Sequence, residues 1–168
     1  MTRRTNAWLL ALLLVGVVHT AHSASLQRFD NFRVQNVYQG QVAAPMLRSA
    51  QDKRYRTMIR DAAASEKVNF AGHYVLSAVG CGGGCLQIFA LDARNGEVSW
   101  LPFTVSWGVE DKLFDTEIMP LDYRIDSNLL VVAGSRNEHG HGTYNYIFEH
   151  GHFRLLDAHE DPPNGLWP

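Results

Sequence analysis

The stretch from Gly72 to Ala93, "GHYVLSAVGCGGGCLQIFALDA", constrains the fold more than any other. Two apolar, β-prone runs flank three glycines that are themselves enclosed by two cysteines. Runs of this kind, broken by a turn composition, predict a β-hairpin with strands at Tyr74–Val79 and Leu86–Leu91. The glycines supply the positive φ values that a tight loop needs. Asn95-Gly96, a strong hairpin-turn signal, then leads into "VSWLPF", a third strand at Val98–Phe103. The three strands make an antiparallel meander.

The same pattern continues downstream. "LDYRI" and "NLLVVAGS" read as strands joined through Asp126-Ser127-Asn128, and "GTYNYIFE" with "HFRLLD" reads as the last hairpin. Strand alternation puts Tyr144, Tyr146 and Phe148 on one face and Asn145 and Ile147 on the other. Between the two groups, "TVSWGVEDKLFDTEIMP" has little periodicity and reads as a loop or crossing segment.

Upstream, "FRVQNVY" (Phe32 to Tyr38) has partial alternation and predicts a strand. A helix follows from Ala50 to Ser65, with Ser49 as N-cap and Asp52 in the first turn. Lys53, Arg54, Arg56 and Arg60 form its solvated face. The fold class is therefore α+β and mainly β: an antiparallel meander sheet, with hairpins after residue 70, and one N-terminal amphipathic helix. A propeller-like or sandwich arrangement is the alternative.

The first residues, "MTRRTNAWLLALLLVGVVHTAHSAS", have the form of a secretory signal peptide over 1–24. Arg3 and Arg4 make the positive region, and Ala7 to Val18 form an apolar core of about a dozen residues. Small residues at Ala21, Ser23 and Ala24 suit cleavage after Ser23 or Ala24. The apolar run falls short of the ~20 residues that span a bilayer, so a membrane anchor is the lesser reading. Residues 25–157 are then one β-rich domain, and 158–168 a loosely ordered tail. A periplasmic or secreted location is expected, without stable membrane insertion once the signal is removed.

The chain of 168 residues carries a formal net charge of -2. Loss of Arg3 and Arg4 shifts it to about -4, because all the acidic residues lie downstream. No basic cluster occurs, which disfavours binding to nucleic acid or anionic lipid.

Cys81 and Cys85 are the two cysteines. In an exported chain a disulfide is the default. Free or redox-active thiols and a metal site are the alternatives. The spacing of three departs from the two residues usual in redox-active pairs, and two cysteines supply only half of a zinc site.

The tetrapeptide Glu-His-Gly-His occurs twice, at 138–141 and 149–152. With Gly142 to Phe148 as a strand, the copies lie roughly 20 Å apart, too far for one metal ion to bridge. Histidines at i and i+2 share a face of an extended chain, so His139 with His141, or His150 with His152, could each chelate an ion. Neither pair has an obvious third ligand. The simpler reading is two polar turns, and no cofactor is expected.

Three pieces occur together: "NFAGHYVLSAVGCGGGC", "LDARNGEVSWLPF" and "SNLLVVAGSRNEHGHGTYNYIF". In combination they resemble an uncharacterised family of small exported proteobacterial proteins with NFAGHY, GCGxGC and GSRNExGxGxYxY patterns. The resemblance covers about Asn69 to Phe148 and implies export and a single domain, with no established activity. Its pattern falls on Asn69, Phe70, Ala71, Gly72, His73, Tyr74, Cys81, Cys85, Arg136, Asn137, Glu138, Tyr144 and Tyr146. His139 and His141 fall at its variable positions. The resemblance also implies that some relatives carry extra cysteines where this chain has "TVSWGVEDK", for a second disulfide or metal feature that is not expected here.

His73 beside Tyr74 could serve as a base or ligand, or sit in a hydrogen-bonded corner. Arg136, Asn137 and Glu138 put a guanidinium, an amide and a carboxylate in one loop, suited to a polar ligand, an anion or a partner's backbone. They suit an internal ion pair equally well. No G-x-S-x-G, H-E-x-x-H or phosphate-binding glycine loop occurs. Asp111, Asp115, Glu117 and Asp122 are available for paired-carboxylate chemistry, without a pattern that selects any two. The sequence thus favours a non-enzymatic binding or inhibitor module acting on a protein or envelope glycan. The alternative is a small hydrolase or metal-binding protein in which His73 and the 136–141 loop converge.

Overall fold

A computed structural model of the chain describes residues 28–106 and 120–162. Residues 1–27, where the signal segment is expected, the 107–119 part of the crossing segment with Asp111, Asp115 and Glu117, and residues 163–168 lie outside them. Seven strands form one open antiparallel sheet: β1 (Tyr74–Gly82), β2 (Cys85–Asp92), β3 (Val98–Ser106), β4 (Leu121–Tyr123), β5 (Leu129–Arg136), β6 (His139–Glu149) and β7 (His152–Glu160). Their order is β1-β2-β3-β5-β6-β7, with β4 paired to β5. The mainly β meander expected from the sequence is thus observed. β7 continues three residues past the boundary expected at 157.

Local chemistry explains the turns. Gly83 and Gly84 close the β1–β2 hairpin, both at positive φ (53° and 77°). Cys81 is the bulged residue between Gly80 and Gly82, and it is disulfide-bonded to Cys85. The β2–β3 connection is longer than a two-residue turn. Only Gly96 takes positive φ, and the Asp92 and Asn95 carboxyl and amide oxygens accept the Arg94 and Glu97 backbone N–H groups. A side chain at Gly96 would strike the Ala44 carbonyl, so the turn must be bare where the 42–46 segment crosses it.

The sheet bends sharply at one seam. β3 and β5 share only two residue pairs, Val105 with Arg136 and Ser106 with Ser135. Beyond them the strands part, and one apolar cluster fills the space between the halves. Leu76, Ile88, Ala90, Leu101 and Val105 enter it from β1–β3, and Leu130, Val132, Tyr144, Tyr146 and Phe148 from β5 and β6. The alternation expected for Tyr144, Tyr146 and Phe148 therefore holds. Phe70, fully buried, lies among them, with its ring 5.6 Å from that of Phe148 and 6.1 Å from that of Tyr123.

The outer face of β1–β3 is covered by the helical segment through Ile59, Ala62, Val75, Val79, Phe89 and Leu91. That segment is two helices rather than the single one expected: α1 (Ala50–Arg54) and α2 (Arg56–Ser65). Tyr55 breaks them at φ -101°, ψ 19°. Its tertiary contacts outweigh helix continuity: the ring lies 5.6 Å from that of Trp100, and the hydroxyl accepts from Gln87 at 3.1 Å. Ser49 caps α1 as expected, in a reciprocal capping box with Asp52. Among the described residues no helix is long and apolar enough to cross a membrane.

The strand expected at Phe32–Tyr38 is not formed. Arg33 makes one isolated bridge to Ser127, Val34 N–H donates to Asp126 O, and Tyr38 N–H donates to Gly72 O. These β-prone residues find their partners on two turns rather than on a strand edge, so they form a strap across the end of the sheet.

Candidate functional site

Arg136 and Asn137 sit where β5 turns into β6, beside the seam. Asn137 and Glu138 both take positive φ (51° and 64°), which makes a two-residue turn of the type that suits strand twist. Asn137 also stitches the seam. Its N–H donates to Thr104 O and its Oδ1 accepts from Thr104 N–H, each at 2.9 Å. An amide side chain thereby extends the β3–β5 ladder by one step. Glu138 is exposed at the turn.

Arg136 is held by aromatic groups. Its guanidinium carbon lies 3.9 Å from the centre of the Tyr144 ring and 5.9 Å from that of Phe103. One nitrogen donates to the Tyr146 hydroxyl at 3.1 Å and another to Glu160 at 3.4 Å. Burial alone would lower the guanidinium pKa, but the Tyr146 bond and the nearby Tyr144 raise it above its ordinary value, so the charge is permanent. Burial pushes the Tyr146 hydroxyl above its ordinary pKa, against the opposing pull of Arg136. In front of Arg136 lies an open cavity of about 430 Å³, lined by Phe103, Arg136, Asn137, His139, Gly140 and Glu160. A fixed cation, an aromatic wall and a few polar groups around a concavity can hold an anionic or polar group.

His73 and Tyr74 lie elsewhere, at the opposite end of the sheet. The rings of Tyr74 and Phe148 are 4.7 Å apart, which puts His73 near the last residues of β6. Glu138 precedes the first residue of that strand. Ten residues of extended chain separate them by about 30 Å. The convergence of His73 with the 136–141 loop is therefore corrected: β6 holds the two apart.

His73 Nε2 is buried and makes no hydrogen bond among the described residues; Asp92 Oδ2 stands 3.7 Å away. Asp92 is held instead by Arg94, at 3.2 Å. Burial lowers the His73 pKa; Asp92 opposes this and Arg94 adds to it. The residues around His73 build structure. Asn69 presents its amide to both backbone groups of Leu76, at 2.7 and 3.0 Å, and so occupies part of the β1 edge as a neighbouring strand would. Gly72 needs its bare Cα, because a side chain there would approach Asn36 O to 2.6 Å.

The two Glu-His-Gly-His copies lie at opposite ends of β6, yet they are out of phase. In the first copy Glu138 is the second turn residue; in the second, His150 and Gly151 are the turn, at φ 53° and 76°. Gly140, at φ 62°, begins a bulge opposite Ser135. An extended run is thus broken inside each copy, and the i, i+2 rule that would pair His139 with His141, or His150 with His152, does not apply. His141 Nδ1 lies 2.6 Å from Asp161. Among the described residues no three His, Cys, Asp or Glu groups come close enough together to hold a metal ion.

Phe103, Thr104 and Glu160 escaped the sequence reading. Nothing local marks them; Glu160 reaches Arg136 only because the β6–β7 register sets it opposite Gly142. The chain matches no family model, no curated protein and no solved structure.

Proposed function

We propose that this chain is a non-enzymatic binding module of an extracytoplasmic compartment, and that it engages its partner, a protein or envelope glycan, with the Arg136 end of the sheet. The carrying observation is the guanidinium fixed between Tyr144, Phe103 and Tyr146 at the back of an open cavity. Such a cation has already lost most of its side-chain freedom, so binding a carboxylate or polar group there costs little further ordering. Glu160, exposed and only loosely placed at 3.4 Å, is readily displaced by a ligand's own carboxylate. Asn137, Glu138 and His139 form the rim.

A disulfide is a bond of oxidising environments, which agrees with the expected periplasmic or secreted location. The resemblance to small exported proteobacterial proteins supports the same setting. His73 and Tyr74, at the far end, are left out of this reading.

Capture from solubilised cell envelope tests it, with tagged protein and an Arg136→Glu variant verified as folded by circular dichroism. A protein or acidic glycan should be enriched by the first and reduced at least about tenfold with the second, as loss of a fixed charge partner predicts. Equal recovery with both proteins, or none with either, would sink the proposal.

A further inference from the structure

The Cys81–Cys85 hairpin tip is built unlike a disulfide whose task is to hold a fold together. The two residues are four apart in sequence, and their Cα atoms are 5.1 Å apart. The β1–β2 ladder and the Gly83-Gly84 turn already bring them together, with Gly82 paired to Cys85. Closing so short a loop removes less entropy from the unfolded chain than closing a long one would. The bond joins no distant elements, and neither cysteine is a member of either apolar cluster.

The tip is also bare. Gly80, Cys81, Gly82, Gly83 and Gly84 are all exposed, and Cys85 is half-buried. A side chain added at Gly80, Gly82 or Gly83 would meet nothing within 4 Å. Positive φ accounts for glycine at 82, 83 and 84. It does not account for Gly80, which has ordinary backbone geometry and open space around it. Nothing among the described residues requires a glycine there, but a partner's close approach to the backbone beside the sulfurs would.

We propose that Cys81–Cys85 is a thiol–disulfide exchange site, a redox target for a protein dithiol that approaches over the bare backbone from Gly80 to Gly84. Exposed disulfides that carry little of the fold are the labile ones. A thiolate of the partner attacks the Cys81 sulfur, the S–S bond breaks, and its electron pair leaves on Cys85, which takes up a proton. The partner's second thiol then attacks the mixed disulfide and releases Cys81 as a thiol. The net change moves two electrons and two protons from the partner's dithiol to this chain, and the partner becomes the disulfide. With three residues between its cysteines, the chain is the target of exchange and not its catalyst. The proposal is independent of the binding role of Arg136.

The test follows reduction of the oxidised protein by quenching with an alkylating agent and weighing the product. Dithiothreitol should reduce the native chain within about tenfold of the rate found in concentrated urea, as expected of an unshielded disulfide, with the near-ultraviolet circular dichroism unchanged. A native rate about a thousandfold slower, or loss of tertiary signal on reduction, would overturn it. Gly80→Val probes the approach, since the site has room for the side chain. It should slow reduction by reduced thioredoxin at least about fivefold and leave the dithiothreitol rate within about twofold, because only a protein dithiol needs the bare backbone. An unchanged thioredoxin rate, or equal slowing of both, would overturn the assigned approach.

Discussion

The guanidinium of Arg136 stacks on Tyr144 with its central carbon 3.9 Å from the ring centre, two strand positions from the Tyr146 hydroxyl to which it also donates. One side chain thus engages two successive inward residues of β6. This arrangement fixes the cation at the candidate site and also ties β5 to β6 beside the seam. Stability and the proposed recognition would share the residue, and the two uses are separable by measurement.

Arg136→Ala should lower the unfolding free energy by about 2 kcal/mol, roughly half from the cation–π contact and half from the Tyr146 bond. Arg136→Lys should recover less than half of the loss, because an ammonium cannot stack and donate sideways at once. Urea denaturation of the three proteins measures this. A loss below about 0.5 kcal/mol for the alanine variant would mean that the stack contributes no more than a surface contact.

Asn137 combines a positive φ with a side-chain hydrogen bond across the seam, and two substitutions divide these roles. Asn137→Gly keeps the turn and loses the bond, at about 1 kcal/mol. Asn137→Ala loses the bond and adds left-handed strain, for a total of about 2 kcal/mol. Hydrogen exchange at the Thr104 amide reads the bond directly: its protection should fall in both variants. Unchanged protection would show that another group satisfies Thr104.

Asp52 links the helical segment to the sheet, since its Oδ1 accepts from the Trp100 indole at 2.8 Å while Oδ2 accepts from the Ser49 N–H. Burial raises its carboxyl pKa, but the donors Trp100, Ser49 and Arg48 outweigh that and hold it below the ordinary carboxylate value. A folded pKa below the unfolded one gives stability that is complete above the unfolded value and is lost as pH falls through the folded one. Thermal unfolding between about pH 5 and pH 2 should therefore fall more steeply in the wild type than in Asp52→Asn. At neutral pH that variant should be less stable by about 1–3 kcal/mol. Parallel acid profiles would contradict the role of the carboxylate.

His73 has a folded pKa below the ordinary histidine value, chiefly through burial. The unfolded chain then binds the proton more readily, so stability is complete above about pH 6.5 and declines as pH falls through the folded pKa. His73→Phe keeps a ring against Tyr74 and removes the titration. Melting temperatures compared at about pH 7.5 and pH 5.5 should drop less for the variant than for the wild type. An equal drop would place the pH response on other groups.

The sequence by itself determined the pieces whose cause is local. Strand alternation, glycines at positive φ in the β1–β2 turn, the Ser49 N-cap with Asp52 in the first turn and the order of the hairpins each depend on residues a few positions apart. Long-range geometry escaped it. Phe32–Tyr38 has strand-like residues, and only the position of two turns makes it a strap. The histidine tetrapeptides are identical in letters but fall at different phases of their turns. His73 and Arg136 are candidates that the sequence reading brings together, yet the length of β6 holds them about 30 Å apart. Glu160 meets Arg136 through strand register alone. Tertiary structure decided these points because the bend at the β3–β5 seam follows from how two faces of one sheet fill a shared core. That packing depends on every contributing side chain together and is written in no single segment.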